Sequence, residues 1–301
     1  MDSRRRALLG ALAALAADNA MPQENQALLT RAFAGGSETL PVVGLGTWQT
    51  FDAGSDAAAR APLREVLKVL AAAGARVIDS SPMYGSSEAV AGDLIAELGL
   101  RERLFIATKV WTSGRAEGIQ QMEDSFRKLR VRQMDLMQVH NLLDVATHTK
   151  TLEEWKAKGR IRHIGITHYT ASAHAQLERW LRTGDYECVQ INYSLAEPQA
   201  EERLLPLARD KRIAVLVNRP FAEGALFRKV RGKPLPEWAH EIGVGSWGQY
   251  FLKWIVSHPA VTCAIPGTAK PEHMLDNLGA ARGPMPDEAM RRRMRAHFDS
   301  L

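Results

Sequence analysis

Cysteine is scarce in this chain: Cys188 and Cys263 are the two present. That is too few for a disulfide scaffold, and their spacing matches no metal-binding pattern. No apolar run reaches the length of about 20 residues that a membrane span needs. Charge of one sign is not in excess, with 39 basic against 34 acidic residues and a net charge of +5. The densest basic run, Arg291-Arg292-Arg293-Met294-Arg295, has no interleaved aromatics and matches no nucleic-acid motif. It reads as a solvated helix face whose opposite side, Met290, Met294 and Phe298, meets the core. What is present is ordinary globular composition: 301 residues, 46% hydrophobic and 24% charged. Disorder and low complexity are excluded, and the length allows a large core.

Residues 1–26 differ from the rest. Arginines come first, then an apolar stretch, then small residues, which is the order of a secretory leader. Ser3-Arg4-Arg5-Arg6-Ala7-Leu8-Leu9 resembles a twin-arginine export signal, and Ala14-Leu15-Ala16 fits a small-x-small cleavage site. The resemblance implies contact with export machinery and a periplasmic location, with an unprocessed arm on a cytoplasmic protein as the alternative. The folded domain is expected over residues 27–301.

From residue 30 onward, strand-like and helix-like segments alternate. Residues 30–34 and 38–40 flank Gly35-Gly36-Ser37, a hairpin signal. Strands are expected at 42–46, 77–79, 104–109, 134–139, 161–167, 189–192, 213–217 and 261–265. Helices are expected between them, for example at 62–73, where Leu63, Val66, Leu67 and Leu70 share one face, and at 151–158. A last helix at 286–300 closes the chain. Eight β-then-α units with near-continuous apolar strands predict an α/β fold with parallel pairing, most economically a closed (β/α)8 TIM barrel. A doubly wound open sheet is the alternative. It usually brings Gly-x-Gly-x-x-Gly after the first strand, and Gly44-Leu45-Gly46-Thr47-Trp48 lacks the third glycine.

Barrel chemistry sits at the C-terminal ends of strands. Those ends supply Asp79, Lys109 and His140, with Tyr84 in the loop after the second strand. Adjacent strands lie about 5 Å apart, so these side chains converge on one mouth. A free phenol has a pKa of about 10. A neighbouring ammonium lowers it, an aspartate holds the ammonium in place, and a histidine orients a substrate oxygen. The expected product is a tyrosine acting as general acid toward a carbonyl. A metal centre is not expected. Barrel metallohydrolases need His-x-His on an early strand, which is lacking, and His148, His163, His168, His174 and His240 are scattered.

These motifs resemble the aldo-keto reductases. The likeness rests on Val43-Gly44-Leu45-Gly46-Thr47-Trp48, on Val77-Ile78-Asp79-Ser80-Ser81-Pro82-Met83-Tyr84-Gly85-Ser86-Ser87-Glu88, on Ala107-Thr108-Lys109-Val110-Trp111 and on Asp135-Leu136-Met137-Gln138-Val139-His140. It implies a catalytic tetrad of Asp79, Tyr84, Lys109 and His140, and reduction of a small aldehyde or ketone by a bound nicotinamide nucleotide. It places Trp48 and Trp111 on the substrate pocket, with core packing as the alternative. On the cofactor side it implies roles for Thr47, Thr167, His168 and Gln190 near the carboxamide. Asn218 stands where an aromatic usually stacks on the ring. Arg219, Phe221 and Gly224 fall in a segment resembling the pyrophosphate loop. Thr268, Lys270, His273, Asp276 and Asn277 match the adenosine segment, although His273 replaces an arginine and Gly267 a lysine. NADP(H) is the expected cofactor and NAD(H) the alternative, with the chain working as a monomer. A different class of function, a nucleotide-binding sensor or accessory subunit on the same barrel, is suggested by His168 and Asn218.

Overall fold

A computed structural model describes residues 26–301 of the chain. The leader-like segment, apart from its last residue, lies outside the described residues.

The chain enters through an antiparallel hairpin, β1 (Thr30–Ala32) and β2 (Thr39–Pro41), where Arg31 faces Leu40. Then come β3 (Leu45–Gly46), α1 (Ala57–Ala72), β4 (Val77–Asp79), α2 (Ser87–Glu97), β5 (Phe105–Val110), α3 (Arg115–Leu129), β6 (Met134–His140), α4 (Val145–Ala157), β7 (Ile161–Thr167), α5 (His174–Thr183), β8 (Cys188–Asn192), α6 (Leu204–Asp210) and β9 (Ala214–Asn218). Helices α7 (Ala225–Lys229) and α8 (Trp247–Val256), strand β10 (Cys263–Ala264) and helices α9 (Pro271–Gly279) and α10 (Glu288–Ser300) complete the chain. Strands β3 to β10 pair in parallel in chain order. Bridges from Val43 to Ala264 and from Gly46 to Gly267 join the first to the last, closing the expected (β/α)8 barrel. At this seam a Cβ on Gly46 would lie 2.7 Å from the Ile265 carbonyl oxygen, so only glycine lets the strands meet.

Strand side chains alternate, and one set fills the barrel. Its lower layers are apolar: Val77, Phe105, Ala107, Leu136, Cys188, Ala214, Leu216 and Cys263, stoppered from below by Phe33 and Leu40 of the hairpin region. Two residues further up the same strands the inward set turns polar, giving Asp79, Lys109, Gln138, Gln190 and Asn218. This reversal puts the chemistry at the upper end.

Two helices start earlier than the periodicity predicts. α1 begins at Ala57 because Asp56 caps it, accepting from Ala58 N at 2.8 Å, and Pro62 lies inside the helix. α4 begins at Val145 because its buried stripe includes His148, whose Nε2 donates to the Thr112 carbonyl at 2.6 Å. A polar residue in the stripe hides the apolar spacing.

The basic run near the C-terminus also corrects the expectation. Met294 and Phe298 are buried as predicted, but so is Arg291. Its guanidinium donates to Ser257 Oγ at 2.9 Å, Tyr193 Oη at 2.7 Å and Glu201 Oε1 at 2.6 Å, and lies 4.5 Å from the Trp254 ring centroid. Arg291→Ala leaves these acceptors without their donor. We expect it to lower unfolding free energy by about 1–3 kcal/mol, read as an earlier urea midpoint, while Arg292→Ala on the exposed face changes little.

Candidate active site

Lys109, the residue before the last of β5, has no solvent exposure. Its ammonium donates to Asp79 Oδ2 at 2.6 Å and to the Ser80 carbonyl at 2.6 Å. The amine lies 5.0 Å from the centroid of the Tyr84 ring. Burial works against the ammonium, yet Asp79 and Tyr84 more than offset it, so the pKa of Lys109 rises and the group stays charged. Asp79 Oδ1 accepts from Gln190 Nε2 at 2.8 Å and from Gln138 Nε2 at 3.1 Å. Thr167 Oγ1 donates to Gln190 Oε1 at 3.2 Å. A continuous hydrogen-bonded chain thus runs from Thr167 through Gln190 and Asp79 to Lys109, whose ammonium sits beside the Tyr84 ring.

Tyr84 departs from the sequence expectation. Burial raises its pKa, and the Lys109 charge lowers it by less, so the net shift is upward. The phenol is therefore protonated at neutral pH, with its proton beside a fixed cation. His140 presents its ring edge-on to Tyr84, with centroids 5.9 Å apart. Burial, helped by the Lys109 charge, pushes the His140 pKa down to about 2, so the imidazole is neutral. Burial also depresses His258, to about 4, with Arg291 adding to the effect. Both rings bind a proton more readily unfolded, at about 6.5, than folded. Their contribution to stability is complete above that value and is lost as pH falls below it. We expect the urea midpoint to drop between about pH 7 and about pH 5, and an unchanged midpoint to count against the burial of these rings.

Above the tetrad opens a cavity of about 650 Å³. Asp79, Tyr84 and His140 are at its floor, and Trp48 and Trp111 are 42% and 40% exposed at its edge, which rules out core packing for them. Thr47, Thr167, Gln190, Asn218, Arg219, Phe221 and Gly224 line it too. The loops after β6 and β9 carry non-glycine residues at positive φ, among them Asn141 (52°) and Arg219 (47°), both on the cavity wall. Such strain is typical of loops shaped for a site.

Other expected contacts are not brought to this cavity. His168 is absent from its lining. Its Nδ1 accepts from Tyr169 N at 3.0 Å and Thr170 N at 3.2 Å, turning the ring onto its own loop. Tyr169 lines the cavity in its place, stacked on His168 at 5.3 Å. Thr47 does reach the cavity wall, but its hydroxyl is turned to the Asp79 carbonyl and Ser80 Oγ. Thr268, Lys270, His273, Asp276 and Asn277 gather instead around the start of α9, where Lys270 and His273 are exposed. There Asp276 accepts from Ser246 Oγ at 2.6 Å and Gln249 Nε2 at 2.9 Å. Sequence reasoning assigned no role to Ser81, Gln138 or Tyr169. For Gln138 the signal was available: two residues before His140 on one strand, it faces the same way.

A model of the Aldo/keto reductase family matches residues 42–296. The chain belongs to the aldo/keto reductase family. Membership makes it an oxidoreductase acting on carbonyl groups with a nicotinamide nucleotide. Among its aldo/keto reductase relatives, methylglyoxal reductase YeaE of Escherichia coli (strain K12) is 30% identical over 252 residues, covering 80% of this chain and 86% of that protein. The NADH-specific methylglyoxal reductase of the same organism is 25% identical, over 69% of this chain and 78% of that one. An aldo-keto reductase from Klebsiella pneumoniae, solved in complex with NADPH, superposes with a TM-score of 0.77 at 26% identity, covering 90% and 95% of the two chains. Among the described residues no group of His, Cys, Asp and Glu is arranged to hold a metal, and no helix is long and apolar enough to cross a membrane.

Proposed function

We propose that this aldo/keto reductase reduces an aldehyde or ketone to an alcohol, with Tyr84 giving the proton to the carbonyl oxygen. The observation that carries this reading is the buried Lys109 ammonium, held on Asp79 at 2.6 Å and 5.0 Å from the ring centroid of Tyr84, which lines an open cavity.

A nicotinamide nucleotide fits the residues present. Asn218 Oδ1 and Asn141 Oδ1 are buried at the cavity wall without a partner, and a carboxamide offers the donors they lack. Thr167, Gln190 and Asn218 would hold that end, and Arg219, Phe221 and Gly224 the pyrophosphate. Thr268, Lys270, His273, Asp276 and Asn277 would hold the adenosine end. Exposed Lys270 and His273 at the start of α9 favour NADP(H), whose extra phosphate they would meet; NAD(H) remains the alternative. When bound, the nucleotide supplies the hydride.

The rest belongs to this chain. Asp79 and the Ser80 carbonyl fix Lys109, which stabilises the phenolate left when Tyr84 gives up its proton. Neutral His140 orients the carbonyl, and Trp48, Trp111, Met83 and Tyr169 wall the entrance against water. Methylglyoxal is the first carbonyl to test, with consumption of NADPH or NADH followed by absorbance. We expect turnover with at least one nucleotide. Nucleotide binding, seen by fluorescence, without turnover of methylglyoxal or a panel of aldehydes would instead support the sensor or accessory reading. That reading draws on the withdrawn ring of His168.

We also propose that residues 1–26 direct twin-arginine export to the periplasm, a route that moves folded proteins and so allows cofactor to travel inside the barrel. N-terminal sequencing of the mature protein tests it, and an intact Met1 in exported material overturns cleavage.

A further inference from the structure

A neutral imidazole carries one proton, and its position decides whether the ring offers a donor or a lone pair to an incoming oxygen. In His140 that choice is made from outside the cavity. Nδ1 lies 3.0 Å from Ser81 Oγ, and both groups are buried. Ser81 forms the turn after β4, where its carbonyl accepts from Tyr84 N at 3.0 Å, so it is fixed to the same loop that carries the tyrosine. A contact between a hydroxyl and a ring nitrogen can run either way, so the other partners of Ser81 decide its direction. Met83 N approaches Oγ at 3.5 Å, a long contact in which Oγ accepts. Among the described residues, no acceptor other than His140 Nδ1 is placed to take the serine proton. Donation to Nδ1 satisfies both groups. The reverse leaves a buried hydroxyl proton with nowhere to go.

We propose that Ser81 is a positioning residue that locks His140 in the Nε2–H tautomer, so that the ring presents an N–H donor to the carbonyl oxygen of the substrate. The two ring nitrogens point to different sides. Nδ1 faces Ser81, which is in the wall and does not line the cavity, whereas His140 does line it. Nε2 is therefore the atom left for the substrate. A lone pair there would repel the carbonyl oxygen; an N–H joins the Tyr84 hydroxyl as a second donor. The depressed pKa of His140 agrees, because a ring that stays neutral needs its tautomer chosen. The inference rests on the reading that His140 orients substrate.

The test begins with the unaltered protein. Long-range 15N–1H spectra of histidine-labelled protein report the tautomer of each of the nine histidines, and His140 is assigned by its loss in His140→Gln. We expect unprotonated Nδ1 and protonated Nε2 at neutral pH. In Ser81→Ala we expect a mixture of tautomers and a fall in kcat/KM on the order of tenfold or more, with nucleotide affinity unchanged. Ser81→Thr, which keeps the hydroxyl, should restore both. A proton on Nδ1 in the unaltered protein, or an unshifted tautomer in Ser81→Ala, overturns the proposal. Full turnover by Tyr84→Phe, with the tautomer still locked, would instead strike the general-acid reading and leave the tautomer assignment standing.

Discussion

Tyr84→Phe is expected to lower kcat for carbonyl reduction by about 10²–10⁴-fold, the usual weight of a positioned general acid. The ring is retained, so its edge contact with His140 survives. The loss is therefore confined to the hydroxyl, and nucleotide affinity measured by fluorescence should hold. The pH profile gives a second signature. Because burial outweighs Lys109 and moves the phenol upward, the acid form of the free enzyme persists through neutrality. Reduction should weaken only as pH passes the ordinary tyrosine value of about 10. A profile that already fell near neutrality would mean that another group supplies the proton.

Lys109→Met carries the second large effect, and it reaches stability as well as rate. The substitution removes the cation from Asp79, whose side chain is 3% exposed. Breaking a buried pair from one side costs about 3–5 kcal/mol, and the lower end applies here because Gln138 and Gln190 still donate to Oδ1. The phenol also loses the charge that stabilises its anion, so kcat should fall by about 10²-fold or more in protein that still folds. Adding Asp79→Asn separates the two effects. The double variant should regain much of the lost urea midpoint, since no charge is left unpaired, while its kcat stays low. Recovery of rate together with stability would assign the pair a purely structural part.

Much of this was legible in the sequence because barrel geometry is periodic. Strand ends at Asp79, Lys109 and His140 follow from apolar runs, and parallel pairing then brings them together. Other features were hidden because they depend on partners distant in sequence. Arg291 looks like one more solvated arginine until Tyr193 and Glu201 come to meet it. His148 interrupts an apolar stripe that it in fact belongs to. His168 looks available for a ligand, but the backbone of Tyr169 and Thr170 captures its ring. The room for Gln138 comes from Gly165 on the next strand, where a Cβ would stand 3.1 Å from the glutamine Cγ. The net direction of the Tyr84 shift could not be read either, because burial depth is a property of the finished fold.

The plug formed by Phe33 and Leu40 has a consequence for timing. With the lower end sealed, the amine of Lys109 meets bulk water only from the upper opening, by way of the groups at the cavity floor, Asp79 and Tyr84. Reactants seated there shut that route. In the proposed reaction each cycle then begins with a single stored hydrogen ion, and recharging waits until product departs.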